Sequence, residues 1–124
     1  MTKINLDING QQLLAELNDS SAAQALLKKL PLTKKLSDVD GYIEKVAVLD
    51  NQLPTDQMAN PETLHAGELA YWEAADGTSQ TLVLYAGKTD TWPNTFVIGR
   101  IIDGDYQSLL VPKNDSLTVK VTKA

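Results

Sequence analysis

The chain has 124 residues, a net charge of −5, a pI near 4.7 and no cysteine. That length fits one domain whose core needs no covalent staples, and the missing thiols exclude disulfides, thiolate catalysis, iron–sulfur clusters and cysteine-bound zinc. The acidic balance argues against a nucleic-acid partner, whose phosphates call for a basic face, and no run approaches the ~20 apolar residues of a membrane span.

The N-terminus is polar from Thr2 and shows no apolar signal segment, so a cytoplasmic location is expected. Ile4, Leu6 and Ile8 then alternate with Asn5 and Asp7, the pattern of a half-buried strand. Asn9-Gly10 accepts positive φ cheaply and predicts a tight hairpin turn. Leu13, Ala15 and Leu17 mark the returning strand. The run DSSAAQALLKKLPLT, from Asp19 to Thr33, reads as a capped helix stopped by Pro31 and feeding directly into a strand over Leu32 to Leu36. The helix begins at Ser20 or Ser21; Ser21 and Gln24 have capping-box spacing, and a helix over Ser21–Leu30 is expected. Ala23, Leu27 and Leu30 fall on one face, with Ala22 and Leu26 beside them. A helix of about ten residues is too short to stand alone, so it must pack on the sheet, with Leu27 as the expected anchor.

From Asp38 to Gly67 the pattern breaks down, punctuated by Gly41, Pro54 and Pro61. YIEKVAVL at 42–49 is the one regular-looking piece. The segment is either a functional loop or a surface excursion anchored at points such as Leu53 and Leu64. Strands are then expected at Glu68–Ala74, Thr81–Ala86, Thr95–Ile102, Asp105–Val111 and Ser116–Lys123. Turn-forming residues separate them: Asp76-Gly77, Gly87-Lys88, Asp103-Gly104 and Pro112 to Asp115. About eight short strands and one short helix predict a mostly β fold: a closed or nearly closed antiparallel barrel, which removes exposed edges, with the helix capping one end. Residues 1–124 are expected to form one such domain.

DSSAAQALLKKLPLT, then Glu44-Lys45 in a loop, then AGELAYW at 66–72, LVLYAG at 82–87 and IGRI at 98–101 together resemble the small bacterial cyclophilin-like family, over roughly positions 2–110. The resemblance implies a cyclophilin-like barrel without a clear prolyl-isomerase active site. A cyclophilin-type isomerase uses an arginine on the substrate carbonyl beside an apolar pocket for the proline ring. Arg100-Ile101-Ile102-Asp103-Gly104, with Gln107 following, resembles the cyclophilin run R-I-I-P-G around that arginine. Here the run comes late in the chain, Gly99 replaces the preceding histidine, and no Q-G-G-D follows. The resemblance also implies a link, in some relatives, to flavodoxin-type redox partners.

Arg100 is the only arginine, the natural fork for a carboxylate or a carbonyl. The plainer reading is a sheet arginine pairing with a nearby carboxylate. His65, the only histidine, has Glu62 and Glu68 nearby and would serve as a general base. No serine stands in a nucleophile motif, and a histidine in a polar loop is ordinarily just solvated. One histidine without cysteine disfavours zinc, the Asp38/Asp40 and Asp103/Asp105 pairs are better explained as turn chemistry than as cation ligands, and no phosphate-cradling glycine loop is present. No cofactor or metal is therefore expected. Tyr71 and Trp72 must face opposite sides of one strand. Trp92-Pro93 lies in a polar loop, where the indole either anchors a ligand or folds back to plug a barrel end. The leading expectation is a binding module that holds a peptide or small ligand on an aromatic-lined barrel face formed by Trp92, Arg100, Tyr71 and Trp72. The alternatives are an active isomerase using Arg100 and an accessory subunit of a redox enzyme. Neither a nucleic acid nor a membrane is an expected partner, and the sequence leaves the oligomeric state open.

Overall fold

Alternation of apolar and polar residues builds nearly every strand. The computed structural model describes residues 1–39, 44–112 and 116–124. Its elements run β1 (Thr2–Ile8), β2 (Gln11–Leu17), α1 (Ser21–Leu27), β3 (Leu32–Val39), β4 (Glu44–Val48), β5 (Thr63–Leu64), β6 (Glu68–Glu73), β7 (Gln80–Tyr85), β8 (Thr89–Asp90), β9 (Thr95–Asp103), α2 (Tyr106–Leu110) and β10 (Leu117–Lys123). Eight strands close an antiparallel barrel in the order β1-β10-β3-β4-β7-β6-β9-β2, and β5 and β8 form a separate two-stranded ladder. The expected barrel is what forms.

In β1 and β2 the alternation is clean: Ile4, Leu6, Ile8, Leu13, Ala15 and Leu17 are all buried. Asn9 and Gly10 make the turn with φ of 50° and 90°. The Asp7 carboxylate accepts from the Gly10 N–H, and the Asn9 side-chain oxygen accepts from the Thr118 N–H at 2.8 Å, so the turn is also tied to β10. Two bulges bend β9, one against β2 between Leu14 and Ala15, the other against β6 between Leu69 and Ala70. Between them Gly99 lies so close to β2 that a Cβ there would stand 2.4 Å from the Glu16 carbonyl oxygen.

The helix is present but shorter than the pattern predicts. Of the two candidate serines Ser20 is the N-cap, its hydroxyl accepting from the Ala23 N–H, so the Ser21–Gln24 capping box does not form. The Ser21 hydroxyl instead donates to the carbonyls of Pro54 and Asp56 in the central loop. The packed side is centred on Ala22, Ala23 and Leu26, which are fully buried, while Leu27, the expected anchor, and Leu30 are half-buried against the same core.

A second correction concerns Asp105–Val111, expected as a strand. It is the helix α2, capped by the Asp105 carboxylate accepting from the Ser108 N–H. Tyr106, Leu109 and Leu110 have i, i+3, i+4 spacing as well as strand-like residue types, and the cap decides between them. Leu110 is fully buried in the barrel core. The connections place α1 at the end of the barrel where β2 finishes, and α2 at the end where β2 begins, so each opening has its own short helix.

Glu44 and Lys45, expected in a loop, open β4. Lys45 is an inward position and is fully buried. Its ammonium is paired with the Asp38 carboxylate on β3 and donates to the Pro112 carbonyl at 2.8 Å. A buried cation is tolerated only when its protons are so taken up. Asp38 is thus an ion-pair partner inside the barrel rather than a turn residue, and Asp40, Tyr42, Asn114 and Asp115 lie outside the described residues.

Two stability outcomes follow. Leu26→Ala is expected to cost about 2–5 kcal/mol in urea melts, as for a fully enclosed leucine, and Leu27→Ala clearly less. Gly99→Ala is expected to cost about 1–3 kcal/mol, because the methyl group must push β9 away from β2; a melt indistinguishable from the parent would contradict that close approach.

Candidate functional site

Beyond the barrel core there is a second, outward-facing apolar cluster. Period-two alternation sends Leu82 and Leu84 of β7 inward and Thr81, Val83 and Tyr85 outward. Ala70 and Trp72 of β6 and Val46 of β4 join Val83 and Tyr85 on the outside, together with Leu64 of β5. The cross-strand register explains the grouping. Val46 pairs with Val83 and Val83 with Ala70, while Glu44 pairs with Tyr85. Trp72 stands between Thr81 and Thr95.

This cluster floors a pocket of about 270 Å³. Val39, Glu44, Val46, Thr81, Val83, Tyr85, Trp72 and Thr95 line it from five neighbouring strands, and Trp92 reaches in from the loop between β8 and β9. Trp92 is 54% exposed, so it does not plug a barrel end. The central loop holds its segment in place. The Thr91 hydroxyl donates to the Pro61 carbonyl at 2.6 Å. The Asn60 amide donates to Thr91 and accepts from the Thr95 N–H, and β5 pairs with β8 just upstream. Leu53 and Leu64 are both buried, as anchors of that loop. The loop is therefore more than a surface excursion: it fixes one wall of the pocket.

The four side chains expected at the site do not all meet. Trp72 and Trp92 share the pocket. Tyr71 points into the barrel, fully buried, where its hydroxyl accepts from the Leu53 N–H at 2.9 Å. Arg100 is exposed on β9, between Glu16 of β2 and Glu68 of β6. It lies five residues along β9 from Thr95, roughly 16 Å at strand rise, and does not line the pocket. Of the sheet-arginine reading, the place in the sheet holds, but among the described residues no carboxylate lies within ion-pair distance of Arg100. The Glu68 carboxylate instead accepts from the His65 N–H at 2.7 Å and lies 3.1 Å from His65 Nδ1. His65 is exposed and is not a pocket residue. Among the described residues no group of His, Asp and Glu could hold a metal ion.

Sequence reasoning missed Val46, Val83, Tyr85 and Glu44. A signal was present: TLVLYA at 81–86 is apolar on both faces of its strand, the mark of a strand covered on both sides. All six of its residues are buried.

Tyr85 carries the largest electrostatic consequence. Burial pushes its phenol well above the usual tyrosine range, and the Glu44 and Glu68 carboxylates push it further. The Tyr71 phenol is also raised, mainly by burial, against the lowering effect of its bond from Leu53. Both groups fold as neutral phenols with raised pKa values, so their contribution to stability is complete below pH ~10 and is lost as pH climbs through the folded values. In an alkaline absorbance titration Tyr85→Phe should remove a step lying above that of a free tyrosine. Loss of a step at the free-tyrosine position would show that the phenol is solvated.

The chain belongs to the cyclophilin-like family, whose model matches residues 6–122. Among solved structures it is similar to a cyclophilin-type peptidyl-prolyl cis-trans isomerase of Cryptosporidium parvum, solved in the presence of the dipeptide Ala-Pro. That likeness has a TM-score of 0.58 at 13% identity and covers 98% of both chains. No curated protein matches the chain. No helix among the described residues is long and apolar enough to cross a membrane.

Proposed function

We propose that the chain is a peptide-binding module that holds an extended segment against the outer face of β4, β7 and β6, seating one side chain in the Trp72–Trp92 pocket. The observation that carries this reading is the pocket itself. Its floor is apolar, two indoles flank it, and one indole is exposed on a loop with its own hydrogen-bonded mooring. Indoles supply contact area at low entropic cost, which suits an anchor for a side chain of a partner. The presence of a dipeptide with the Cryptosporidium parvum isomerase agrees with peptide as the ligand class.

The isomerase reading draws on the shared fold. Against it stands the position of Arg100, well away from the pocket an isomerase would need beside it. The accessory-subunit reading would call for a broad apolar patch. The exposed large apolar side chains of the described residues, Met1, Val48, Trp92, Ile102 and Val111, instead come from five separate segments.

A titration of indole fluorescence with a pool of unstructured hexapeptides tests the proposal. Saturable binding is expected, weakened about tenfold or more by Trp92→Ala, in keeping with ~1.4 kcal/mol for an anchoring aromatic. Binding that ignores Trp92→Ala would move the site elsewhere. In a protease-coupled assay on a proline tetrapeptide, little or no turnover is expected. Turnover abolished by Arg100→Ala in a folded protein would favour the isomerase instead.

A further inference from the structure

Val48 and Trp92 are 59% and 54% exposed and come from distant segments. A single exposed valine means little, but the register places this one. Val48 stands directly across the ladder from Thr81, Thr81 from Trp72, and Trp72 from Thr95. Directly opposed residues share one face of a sheet, so the four form an outward row across β4, β7, β6 and β9. Trp92 meets the row at its far end, beside Trp72 and Thr95. None of the four side chains is charged, and the row begins at the end of β4 away from Glu44. Two strand spacings separate Val48 from Trp72, roughly 10 Å. β7 pairs on one side with β4 and on the other with β6, and β6 pairs from Leu69 to Trp72 with both β7 and β9. A segment lying over them therefore finds no free ladder edge to join as a further strand. Its side chains must hold it. In an extended segment every second side chain faces the same way, about 7 Å from the last, and two such side chains fit between the exposed valine and the exposed indole.

We infer that the site recognises two apolar side chains of one extended segment, two residues apart, the first seated on Val48 and the second against Trp72 and Trp92, with the segment crossing β4, β7 and β6 instead of joining them. The inference rests on the peptide-binding reading and adds a second anchor, its spacing and the direction of the chain. Each anchor removes apolar surface from water at one end of the row. Adjacent apolar residues would not serve, because the second of them points away from the sheet.

The test compares three hexapeptides of serine and glycine, titrated by calorimetry. One carries leucine at positions 2 and 4, one at positions 2 and 3, and one at position 2 alone. The first is expected to bind about tenfold more tightly than either of the others, the gain from burying one more leucine. In Val48→Ser that advantage should shrink towards one, while Trp92→Ala should weaken the first peptide outright. Equal affinities for the three, or tighter binding of the adjacent pair, would overturn the two-anchor spacing and leave the peptide-binding reading standing. An advantage that survives in Val48→Ser would likewise sink the inference, since the second anchor would then lie elsewhere. If none of the three binds and the hexapeptide pool does not either, both readings fail together. If the pool binds but none of the three does, the inferred pattern alone is wrong. The parent comparison needs no variant, so a folding defect in Val48→Ser does not spare the proposal.

Discussion

Closure of the sheet is the constraint on which everything else rests. β1 pairs on one side with β2 and on the other with β10, so eight strands form a ring without a free edge. An eight-stranded ring encloses just enough space to be filled by side chains. Every second residue is thereby committed to the interior, and the intervening ones are forced outward. The outer face of β4, β7 and β6 is therefore not a remnant of the core. It is a separate surface whose composition is free to serve a different purpose, and here it is apolar and aromatic where an ordinary barrel exterior is polar. The ring closes only because β9 can bend, through its two bulges and the bare backbone at Gly99.

The interior carries one departure from an apolar filling. Lys45, Asp38 and the Pro112 carbonyl join β3, β4 and the segment after α2 at the same end of the barrel. Such a buried pair does little for net stability compared with well-packed apolar residues, but removing one partner alone is costly. Its structural effect is to register β4 against the chain that follows α2. Because Glu44 and Val46 are the outward neighbours of Lys45 on the same strand, the pair also fixes where the pocket's acidic wall stands.

Most of the barrel was legible in the sequence because period-two alternation and turn residues are local signals. The β1–β2 hairpin needed only Ile4, Leu6, Ile8 and Asn9-Gly10. The helix was legible in kind, but its cap was not decided: Ser20 and Ser21 are equally good caps, and the Ser21 hydroxyl is taken up by carbonyls in a loop more than thirty residues away. α2 was misread because Tyr106 and Leu110 suit either periodicity, and only the side chain of Asp105 favours the helix. The site was half legible. An indole in a polar loop pointed to Trp92, and strand parity separated Tyr71 from Trp72. Parity could not reveal that Arg100 lies at the far end of its strand from Thr95. Nor could it show that Glu44 and Tyr85 are partners, because that fact belongs to the register between β4 and β7.

The pocket has two kinds of wall. Its floor is sheet, held by ladder hydrogen bonds along five strands. Its overhang is the Trp92 loop, held by side chains: Asn60, Thr91 and the Pro61 carbonyl. The segment supplying those contacts is tied in turn, through the Leu53 N–H, to the Tyr71 hydroxyl inside the barrel. An occupant of the proposed site would leave the floor undisturbed while passing beside the indole. The moorings of that loop would then bear on residence time as well as contact area, and the chain of ties ends at a phenol buried inside the barrel. On the proposed reading, departure of a ligand from the outside of this barrel would be timed, in part, from its inside.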